Sequence, residues 1–249
     1  MHFAFCILHF ISISVRNRSR SAMIMDTNIM GQEYESPNTK LAVVTWAASG
    51  VGEAVSTLLA HKGYVVYGLD KDWEQEGIQN GVARVKADVS NLDEAKKALD
   101  DVLQMYPKVD VLVNITKSDF EDNESSKDIV ESQFYNPVSI AEHAIDTMKN
   151  QNAGMVVNVS SLVPDQEENK NSPYYSSCKS ALVSYGKAVK KDLLRHNVKI
   201  CTVHPGPVRY RVKKTKGNSG AGDKSMDVAK IILRAVTSKS VLDLYTVGY

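Results

Sequence analysis

Tyr175 and Lys179 are the residues whose types and spacing point most directly to chemistry, since they lie four positions apart in a segment of helical periodicity. Side chains at i and i+4 share one face of a helix, so the phenol and the ammonium are expected to be neighbours. A lysine charge about 5 Å from a phenol, at an effective dielectric constant of about 20, favours the tyrosinate by about 3 kcal/mol. That is roughly two units of pKa, which brings a phenol with an ordinary pKa of about 10 into range for proton transfer. The pair is therefore a candidate general acid/base.

Ser161 strengthens this interpretation because it follows a predicted strand, fourteen residues before Tyr175. A Tyr-x-x-x-Lys spacing by itself also arises by chance on exposed helices. The run Asn158-Val159-Ser160-Ser161 places a hydroxyl at the carboxyl edge of a predicted sheet, where α/β proteins bind ligands. We therefore expect Ser161 to share a site with the tyrosine and the lysine.

A second candidate site is the run TWAASGVG, which lies between a predicted strand and a predicted helix. Small residues let the backbone approach a pyrophosphate, and the free amides of a helix start point at it with the positive end of the helix dipole. Two glycines alone also fit a plain strand–helix turn. The placement of the run favours a dinucleotide phosphate site formed by Thr45, Ser49, Gly50, Val51 and Gly52.

Two carboxylates follow the next two predicted strands. Asp70 lies eighteen residues beyond Gly52, where a carboxylate can accept both ribose hydroxyls of an adenosine and repels a 2′-phosphate. Asp88, in the run Ala87-Asp88-Val89, is placed to meet the adenine amine. The alternatives are a solvated acid in the charged turn at Asp70, and a turn former or helix N-cap at Asp88.

From Lys40 onward, short aliphatic runs alternate with segments of helical periodicity. The predicted strands are Leu41–Thr45, Tyr64–Leu69, Val82–Ala87, Val109–Val113, Met155–Val159, Lys199–Val203 and Val241–Val247. The predicted helices are Val51–Leu59, Asn91–Tyr106, Glu124–Asn150, Tyr174–His196 and Ser225–Thr237. Continuous aliphatic strands are typical of burial on both faces, so we predict an α/β fold: a single-domain, Rossmann-like, doubly wound parallel sheet of about seven strands with helices on both faces. The crossover between Asp70 and Gly81 is so short that its helix is expected to be short or absent.

The composition excludes several classes of protein. With 30 basic and 29 acidic residues in 249, the net charge of +1 argues against polyanion binding by bulk charge and against an acidic disordered tail, so no nucleic-acid partner is expected. Cys6, Cys178 and Cys201 have no paired spacing, so we expect neither disulfides nor a metal site, and we infer a reducing, cytoplasmic location. No apolar run reaches eighteen residues, so no stable membrane span is expected.

The first 38 residues differ from the rest of the chain. The mostly apolar run Phe3–Val15 is followed by three arginines among serines. We interpret residues 1–38 as an N-terminal extension ahead of a later start at Met23, Met25 or Met30, and an organellar transit segment over residues 1–25 is the alternative. The predicted domain then comprises residues 39–249.

Taken in order, these motifs resemble the short-chain dehydrogenase/reductase family from about Lys40 to the end of the chain. The matching runs are the turn at residues 45–52, Asp70, Asp88-Val89, Asp110-Val111-Leu112-Val113-Asn114, Asn136, Val157-Asn158-Val159-Ser160-Ser161, Tyr175-Ser176-Ser177-Cys178-Lys179-Ser180-Ala181 and His204-Pro205-Gly206-Pro207-Val208. An ordered set of this kind is far more specific than any of its members.

The resemblance implies a role for each matching residue. Tyr175 would be the general acid/base at the substrate oxygen, and Lys179 would lower the pKa of the tyrosine and hold the nicotinamide ribose. Ser161 would bind the substrate oxygen, and Asn136 would anchor a water relay that runs to Lys179. The cofactor-binding set would be completed by Asn114, which supports the central strand and the adenosine pocket, and on the nicotinamide side by Pro205, Gly206 and Val208.

The chain departs from the family pattern in three places, and all lie in the cofactor-binding half. Trp46 stands where the first glycine of the loop is usual, Ile115-Thr116-Lys117 replaces the small residues that follow Asn114, and Tyr210 replaces a common threonine. If the turn keeps the family's course, the indole of Trp46 either points away from the pyrophosphate or fills the adenosine side of the groove. We expect the first arrangement.

The function implied is that of an NAD(P)-dependent oxidoreductase that interconverts an alcohol and a ketone or aldehyde by hydride transfer. Its substrate would be a small molecule, its cofactor NAD, preferred because of Asp70, or NADP, and its assembly a homodimer or homotetramer. A catalytically inactive binding or scaffold protein is the alternative, motivated by Trp46 and Lys117. A sugar-nucleotide epimerase or dehydratase uses a similar Tyr/Lys pair but is disfavoured, because no second substrate domain is apparent.

Overall fold

The computed structural model describes residues 39–116, 124–160, 173–205, 224–238 and 244–246. The chain divides into the units Met1–Thr39 and Lys40–Tyr249, and the fold described below belongs to the second. The boundary predicted after residue 38 stays a prediction. Among the helices in the described ranges, none is both long and apolar enough to cross a membrane.

The described strands form one eight-stranded sheet in the order β3-β4-β2-β1-β5-β6-β7-β8. The strands are β1 (Lys40–Thr45), β2 (Tyr64–Asp70), β3 (Gly77–Gln79), β4 (Val82–Lys86), β5 (Val111–Asn114), β6 (Gly154–Val159), β7 (Val198–His204) and β8 (Leu244–Thr246). All neighbours are parallel except β3 and β4. The strand order reverses between β1 and β5, which is where doubly wound sheets bind ligands. The predicted fold class is confirmed.

Helices cover both faces of the sheet. They are α1 (Gly50–His61), α2 (Leu92–Met105), α3 (Ser126–Val130), a π-helix (Glu131–Tyr135), α4 (Asn136–Asn150), α5 (Pro173–Leu194) and α6 (Lys224–Thr237). α1 and α6 pack together on one face, and α2, α4 and α5 lie on the other. Strands between two helical layers must be apolar along their whole length, which explains why Leu41–Val44 are at most 1% exposed.

The crossover between β2 and β4 contains no helix, as the sequence predicted, but it contains a strand that the sequence did not reveal. β3 pairs antiparallel with β4, with Ile78 opposite Ala83. Asn80 and Gly81 connect the two strands with positive φ angles of 54° and 76°. Asn-Gly is the usual sequence of a two-residue hairpin turn, because both positions need a left-handed backbone. The Asn80-Gly81 pair was therefore the available signal for β3.

The predicted helix Glu124–Asn150 is divided by the π-helix. Pro137 lies just beyond it, in the first turn of α4. Proline has no amide hydrogen, and its ring clashes with the carbonyl four residues earlier, which is that of Gln133. A π-helical turn, with bonds spaced five residues apart, accommodates this interruption without ending the helix.

Candidate active site

The turn after β1 contains two residues with a left-handed backbone, and one of them is a tryptophan. Trp46 has φ 51° and Gly50 has φ 56°, so both are left-handed. Such a conformation costs an L-residue roughly 1–2 kcal/mol, which is why glycine is usual at such a position. The Trp46 side chain is half-buried and packs against the apolar cluster that includes Val51, Val55 and Val113. This packing favours the arrangement in which the indole points away from the loop amides.

Gly52 lets the first turn of α1 approach the loop. A Cβ at this position would lie 1.9 Å from the carbonyl oxygen of Trp46. At the same helix start, Ser49 makes no side-chain capping hydrogen bond. The first amides of α1 are therefore not capped by the usual side chain, which is the condition under which a helix start binds an anion.

Thr45 fixes the end of β1 to the end of β5. Its hydroxyl donates to the carbonyl oxygen of Ile115 and accepts from the amide of Ile115, both at 2.8 Å. Thr45 is 1% exposed, so its hydroxyl acts within the protein. The Thr45 hydroxyl therefore holds these two strand ends together, and its predicted role in binding a cofactor stays a prediction.

Asp70 holds the loop from the end of β2. One carboxylate oxygen accepts from the amide of Ala48 at 2.9 Å and the other from the amide of Asp72 at 3.0 Å. Burial raises the pKa of the Asp70 carboxyl, although both amide hydrogen bonds act in the opposite direction. The carboxylate thus contacts the turn after β1 through the amide of Ala48, and its predicted role in binding an adenosine ribose stays a prediction.

Asp88 and Lys71 form an ion pair beside Asp70. Lys71 Nζ lies 3.1 Å from Asp88 Oδ2, and the other Asp88 oxygen accepts from the amide of Ser90 at 2.9 Å. Partial burial acts to raise the pKa of Asp88, but the bonds from Ser90 and Lys71 outweigh it and lower that pKa. Hydrogen bonding to Asp88 raises the pKa of the Lys71 ammonium, despite partial burial. The next residue, Val89, is buried.

Tyr175 and Lys179 are neighbours on α5, as their spacing predicted. Lys179 Nζ lies 5.2 Å from the centroid of the Tyr175 ring. Tyr175 is 8% exposed and Lys179 3%, so the pair is screened from bulk water. Because little water surrounds the pair, the effective dielectric constant is lower than in water, and a lysine charge acts more strongly on the neighbouring phenol.

Lys179 has a hydrogen-bond partner that the sequence did not reveal. Its ammonium donates to Oγ1 of Thr116, which is also buried. Burial lowers the pKa of Lys179 from 10.5 to about 7, and the neighbouring Cys178 acts in the opposite direction without outweighing it. The signal was present in the sequence as a hydroxyl residue where the family has a small one, but nothing local indicated its partner.

Two buried asparagines fix the start of α4 next to the strand ends. Asn114 Nδ2 donates to the carbonyl of Pro137 at 2.6 Å and to Asn158 Oδ1 at 3.3 Å. Asn136 Nδ2 donates to the carbonyl of Ser90 at 2.5 Å. Both amides therefore position α4, and the water relay expected at Asn136 stays a prediction.

Ser160 joins β6 to the helix of the Tyr/Lys pair. Its hydroxyl donates to the carbonyl of Lys179 at 3.1 Å, and its amide donates to the carbonyl of Val203 at 2.9 Å. Pro205 is buried just beyond the end of β7. Three predicted site residues, Ser161, Gly206 and Val208, lie outside the described ranges. Lys117 and Tyr210, which depart from the family pattern, also lie outside them.

Comparisons with known proteins agree on one family. The family model described as short chain dehydrogenase matches residues 40–219. An uncharacterized oxidoreductase of Staphylococcus aureus strain N315 is 30% identical over 217 residues, which cover 80% of this chain and 91% of that protein. An uncharacterized oxidoreductase of Staphylococcus saprophyticus is 27% identical over 188 residues, which cover 68% of this chain and 78% of that protein. These names indicate oxidoreductases and give no substrate.

Solved structures share the fold. Glucose dehydrogenase of Caenorhabditis elegans superposes with a TM-score of 0.68 at 22% identity, over 84% of this chain and 95% of that chain. An NADH-dependent reductase complexed with NAD gives 0.66 at 14% identity, over 84% and 95%. A metagenomic short-chain oxidoreductase in complex with NADP gives 0.67 at 20% identity, over 84% and 96%. At these identities the likeness establishes the fold alone.

Proposed function

Since this chain belongs to the short-chain dehydrogenase family, we propose that it is an NAD(P)-dependent oxidoreductase that interconverts a small alcohol and the corresponding ketone or aldehyde. The observation that carries the proposal is the buried Tyr175–Lys179 pair at the carboxyl edge of the sheet. A scaffold protein has no need of a buried ammonium beside a phenol. Burying a charge is unfavourable and persists where it serves the site.

Tyr175 is the proposed general acid/base. In carbonyl reduction its hydroxyl gives a proton to the substrate oxygen, and in alcohol oxidation the phenolate takes that proton back. Lys179 Nζ lies 5.2 Å from the centroid of the Tyr175 ring. When Lys179 is protonated, a cation about 5 Å from the phenolate charge would favour the phenolate by about 3 kcal/mol at an effective dielectric constant of about 20. Ser161, by the resemblance, would hold the substrate oxygen next to Tyr175, and Asn136 would connect Lys179 to solvent through water.

The residues after β1 and β2 fit a nicotinamide dinucleotide. Gly52 leaves room that a Cβ would fill, and the start of α1 has no side-chain cap. The amides of Gly50 to Gly52 would bind the pyrophosphate, and the Asp70 carboxylate, which retains free lone pairs, would accept the adenosine ribose hydroxyls. The bound nicotinamide would supply the hydride donor or acceptor. The other residues that would line this cofactor are Val51, Asp88, Val89, Asn114, Lys179, Pro205, Gly206 and Val208.

The charges near Asp70 favour NAD over NADP in this proposal. A 2′-phosphate would lie against the buried Asp70 carboxylate. Lys71, the adjacent cation, is paired with Asp88 at 3.1 Å, so it is already occupied by a negative charge. A phosphate would have to compete with Asp88 for this ammonium.

Two further expectations belong to the proposal. Buried free Cys178 and Cys201 are compatible with the reducing, cytoplasmic location inferred from the sequence. A homodimer or homotetramer is the assembly that the family resemblance implies.

The test is binding of NADH and NADPH by calorimetry, followed by spectrophotometric turnover with a panel of small alcohols and ketones. We expect a complex with NADH, weaker binding of NADPH, and turnover of at least one substrate. If the folded protein binds neither cofactor, the proposed enzymatic function is contradicted and the scaffold alternative is favoured.

A further inference from the structure

Thr116 lies where the family resemblance leads one to expect a small residue, and its hydroxyl contacts the buried lysine of the site. Thr116 Oγ1 accepts a hydrogen bond from Lys179 Nζ, and the two residues are 8% and 3% exposed. We propose that Thr116 is a positioning residue, which holds the Lys179 ammonium beside Tyr175. Its catalytic consequence rests on the proposed function, whereas the contact itself joins two side chains of this chain and can be tested without a cofactor.

The backbone on the threonine side is held by the sheet. Thr116 follows Ile115, whose amide and carbonyl both bond the Thr45 hydroxyl at 2.8 Å. β5, which ends two residues earlier, is paired on one side with β1 and on the other with β6. Thr116 is therefore presented from a backbone that three strands fix in place.

The backbone on the lysine side is also anchored. Lys179 lies in the 22-residue helix α5, and its carbonyl accepts from the Ser160 hydroxyl at 3.1 Å. Ser160 is itself bonded to β7 through its amide at 2.9 Å. With both backbones fixed, the Thr116–Lys179 hydrogen bond sets the direction of a side chain that otherwise has four rotatable bonds.

The chemistry of a hydroxyl suits this position. A buried ammonium needs acceptors, and a carboxylate would supply one but would cancel most of the charge felt by Tyr175. A neutral hydroxyl stabilises the charged form and leaves its field intact. Within the described residues, the titratable groups recorded beside the ammonium are the Cys178 thiol and the Tyr175 phenol, and both are neutral in their ordinary forms. Among the described side chains, it is therefore Thr116 that stabilises the protonated form of Lys179 by a direct hydrogen bond.

The experiment compares Thr116→Ala, Thr116→Ser and Thr116→Val in cofactor-free protein. The pKa of Lys179 is followed by NMR of the ε-methylene group in ¹³C-lysine-labelled samples, with Lys179→Met identifying the signal. We expect the pKa to fall by about one unit, a tenfold change in the ionisation constant, in the Ala and Val variants. Thr116→Ser, which keeps the hydroxyl, should restore the wild-type value.

Thr202→Val is the matched control, since Thr202 is a buried threonine on β7. It should leave the Lys179 titration unchanged. If Thr116→Val destabilises the fold, the smaller Ala and Ser variants still isolate the hydroxyl. An unchanged Lys179 pKa in Thr116→Ala, or an equal shift in Ala and Ser, would overturn the proposal.

Enzyme measurements separate this proposal from the proposed function. In a working oxidoreductase, loss of the hydroxyl should move the pH profile of kcat and weaken NADH binding, and Thr116→Ser should rescue both. If even the wild-type protein binds no NADH, the proposed function fails, but the Lys179 titration still decides whether Thr116 holds the ammonium. Tighter NADH binding in Thr116→Ala with an unaltered pH profile would count against a positioning role.

Discussion

The carbonyl oxygen of Trp46 lies where a side chain at residue 52 would have to be: a Cβ built on Gly52 would come within 1.9 Å of it. The loop and the helix are therefore in contact through backbone alone. This contact brings the uncapped start of α1 next to the loop. The contact also explains how a tryptophan is tolerated at position 46. Only the left-handed backbone of Trp46 takes part in the contact, and its side chain packs on the apolar cluster instead.

Gly52→Ala tests this contact. The added methyl must displace the Trp46 carbonyl, so we expect a loss of about 1–3 kcal/mol in the free energy of unfolding and at least a tenfold loss in NADH affinity. Urea unfolding and calorimetry measure the two effects. Gly186→Ala is the matched control, because Gly186 is also a buried helical glycine but its added Cβ would meet its nearest atom at 3.4 Å, an ordinary contact. Equal effects in the two variants would contradict the account.

The variant Trp46→Gly tests whether the indole occupies the proposed cofactor groove. Glycine removes the strain of a positive φ but also the packing of the indole on the core. We expect NADH affinity to change by less than about tenfold, or 1.4 kcal/mol, because the packing of the indole on the apolar cluster favours a position away from the amides. A gain of a hundredfold or more from undetectable binding would instead show that the tryptophan occupies the cofactor groove.

Asp70 and its neighbours should control the choice of cofactor. We expect NADH to bind more tightly than NADPH, and Asp70→Ala or Asp70→Asn to narrow the difference. Asn retains an acceptor for one loop amide, so it separates loss of charge from loss of the Ala48 bond. Asp88→Asn should also narrow the difference in affinity, because it weakens the ion pair with Lys71 and leaves that ammonium available to a 2′-phosphate. Parallel titrations with both cofactors give the ratio, and equal affinities in the wild-type protein would refute the role of Asp70.

Tyr175→Phe should abolish turnover and leave cofactor binding close to normal. The hydroxyl supplies proton transfer, typically a 10²- to 10⁴-fold factor, but little of the contact area of a dinucleotide. Tyr174→Phe, at the adjacent exposed tyrosine, is the control and should keep full activity. Both variants are assayed for NADH binding and for turnover of a substrate that the wild-type protein accepts. Retained activity in Tyr175→Phe would exclude the proposed mechanism.

Lys179→Met should stabilise the protein, and more so at low pH. Burial lowers the pKa of Lys179 in the folded state to about 7, against 10.5 in the unfolded chain. Below pH 7 the folded protein bears the full penalty of a buried charge, because the lysine is protonated in both states. Between pH 7 and 10.5 the unfolded chain binds the extra proton, so this contribution to the free energy of unfolding rises with pH.

The measurement is urea unfolding of both proteins at pH 6 and pH 9. The advantage of the methionine variant should be larger at pH 6 and should shrink at pH 9. Lys187→Met, which alters an exposed lysine of the same helix, should show no such trend. If the difference in the free energy of unfolding between the two proteins does not change with pH, the folded protein does not bury a charged Lys179 ammonium.

Local pattern predicted much of the fold and of the site. Aliphatic runs such as Leu41–Val44 identified the parallel strands, because a strand buried on both faces has to be apolar at every position. The spacing of Tyr175 and Lys179 predicted their contact, because the helix repeat alone brings i and i+4 together. β3 was missed although Asn80-Gly81 indicated a hairpin, and the π-helix was missed because Pro137 was read within an unbroken helix.

What the sequence by itself determined was therefore the order of the elements, the parallel sheet and the helical Tyr175–Lys179 pair, since each follows from interactions between residues close in the chain. Only the tertiary structure decided which distant groups meet: Thr45 with Ile115, Asn136 with Ser90, and Lys179 with Thr116, sixty-three residues away. Such contacts depend on strand order and on the direction of each side chain at the sheet edge, and no local pattern encodes either. The environment of the lysine, and with it the lowering of its pKa, exists only once the sheet has brought those strand ends together.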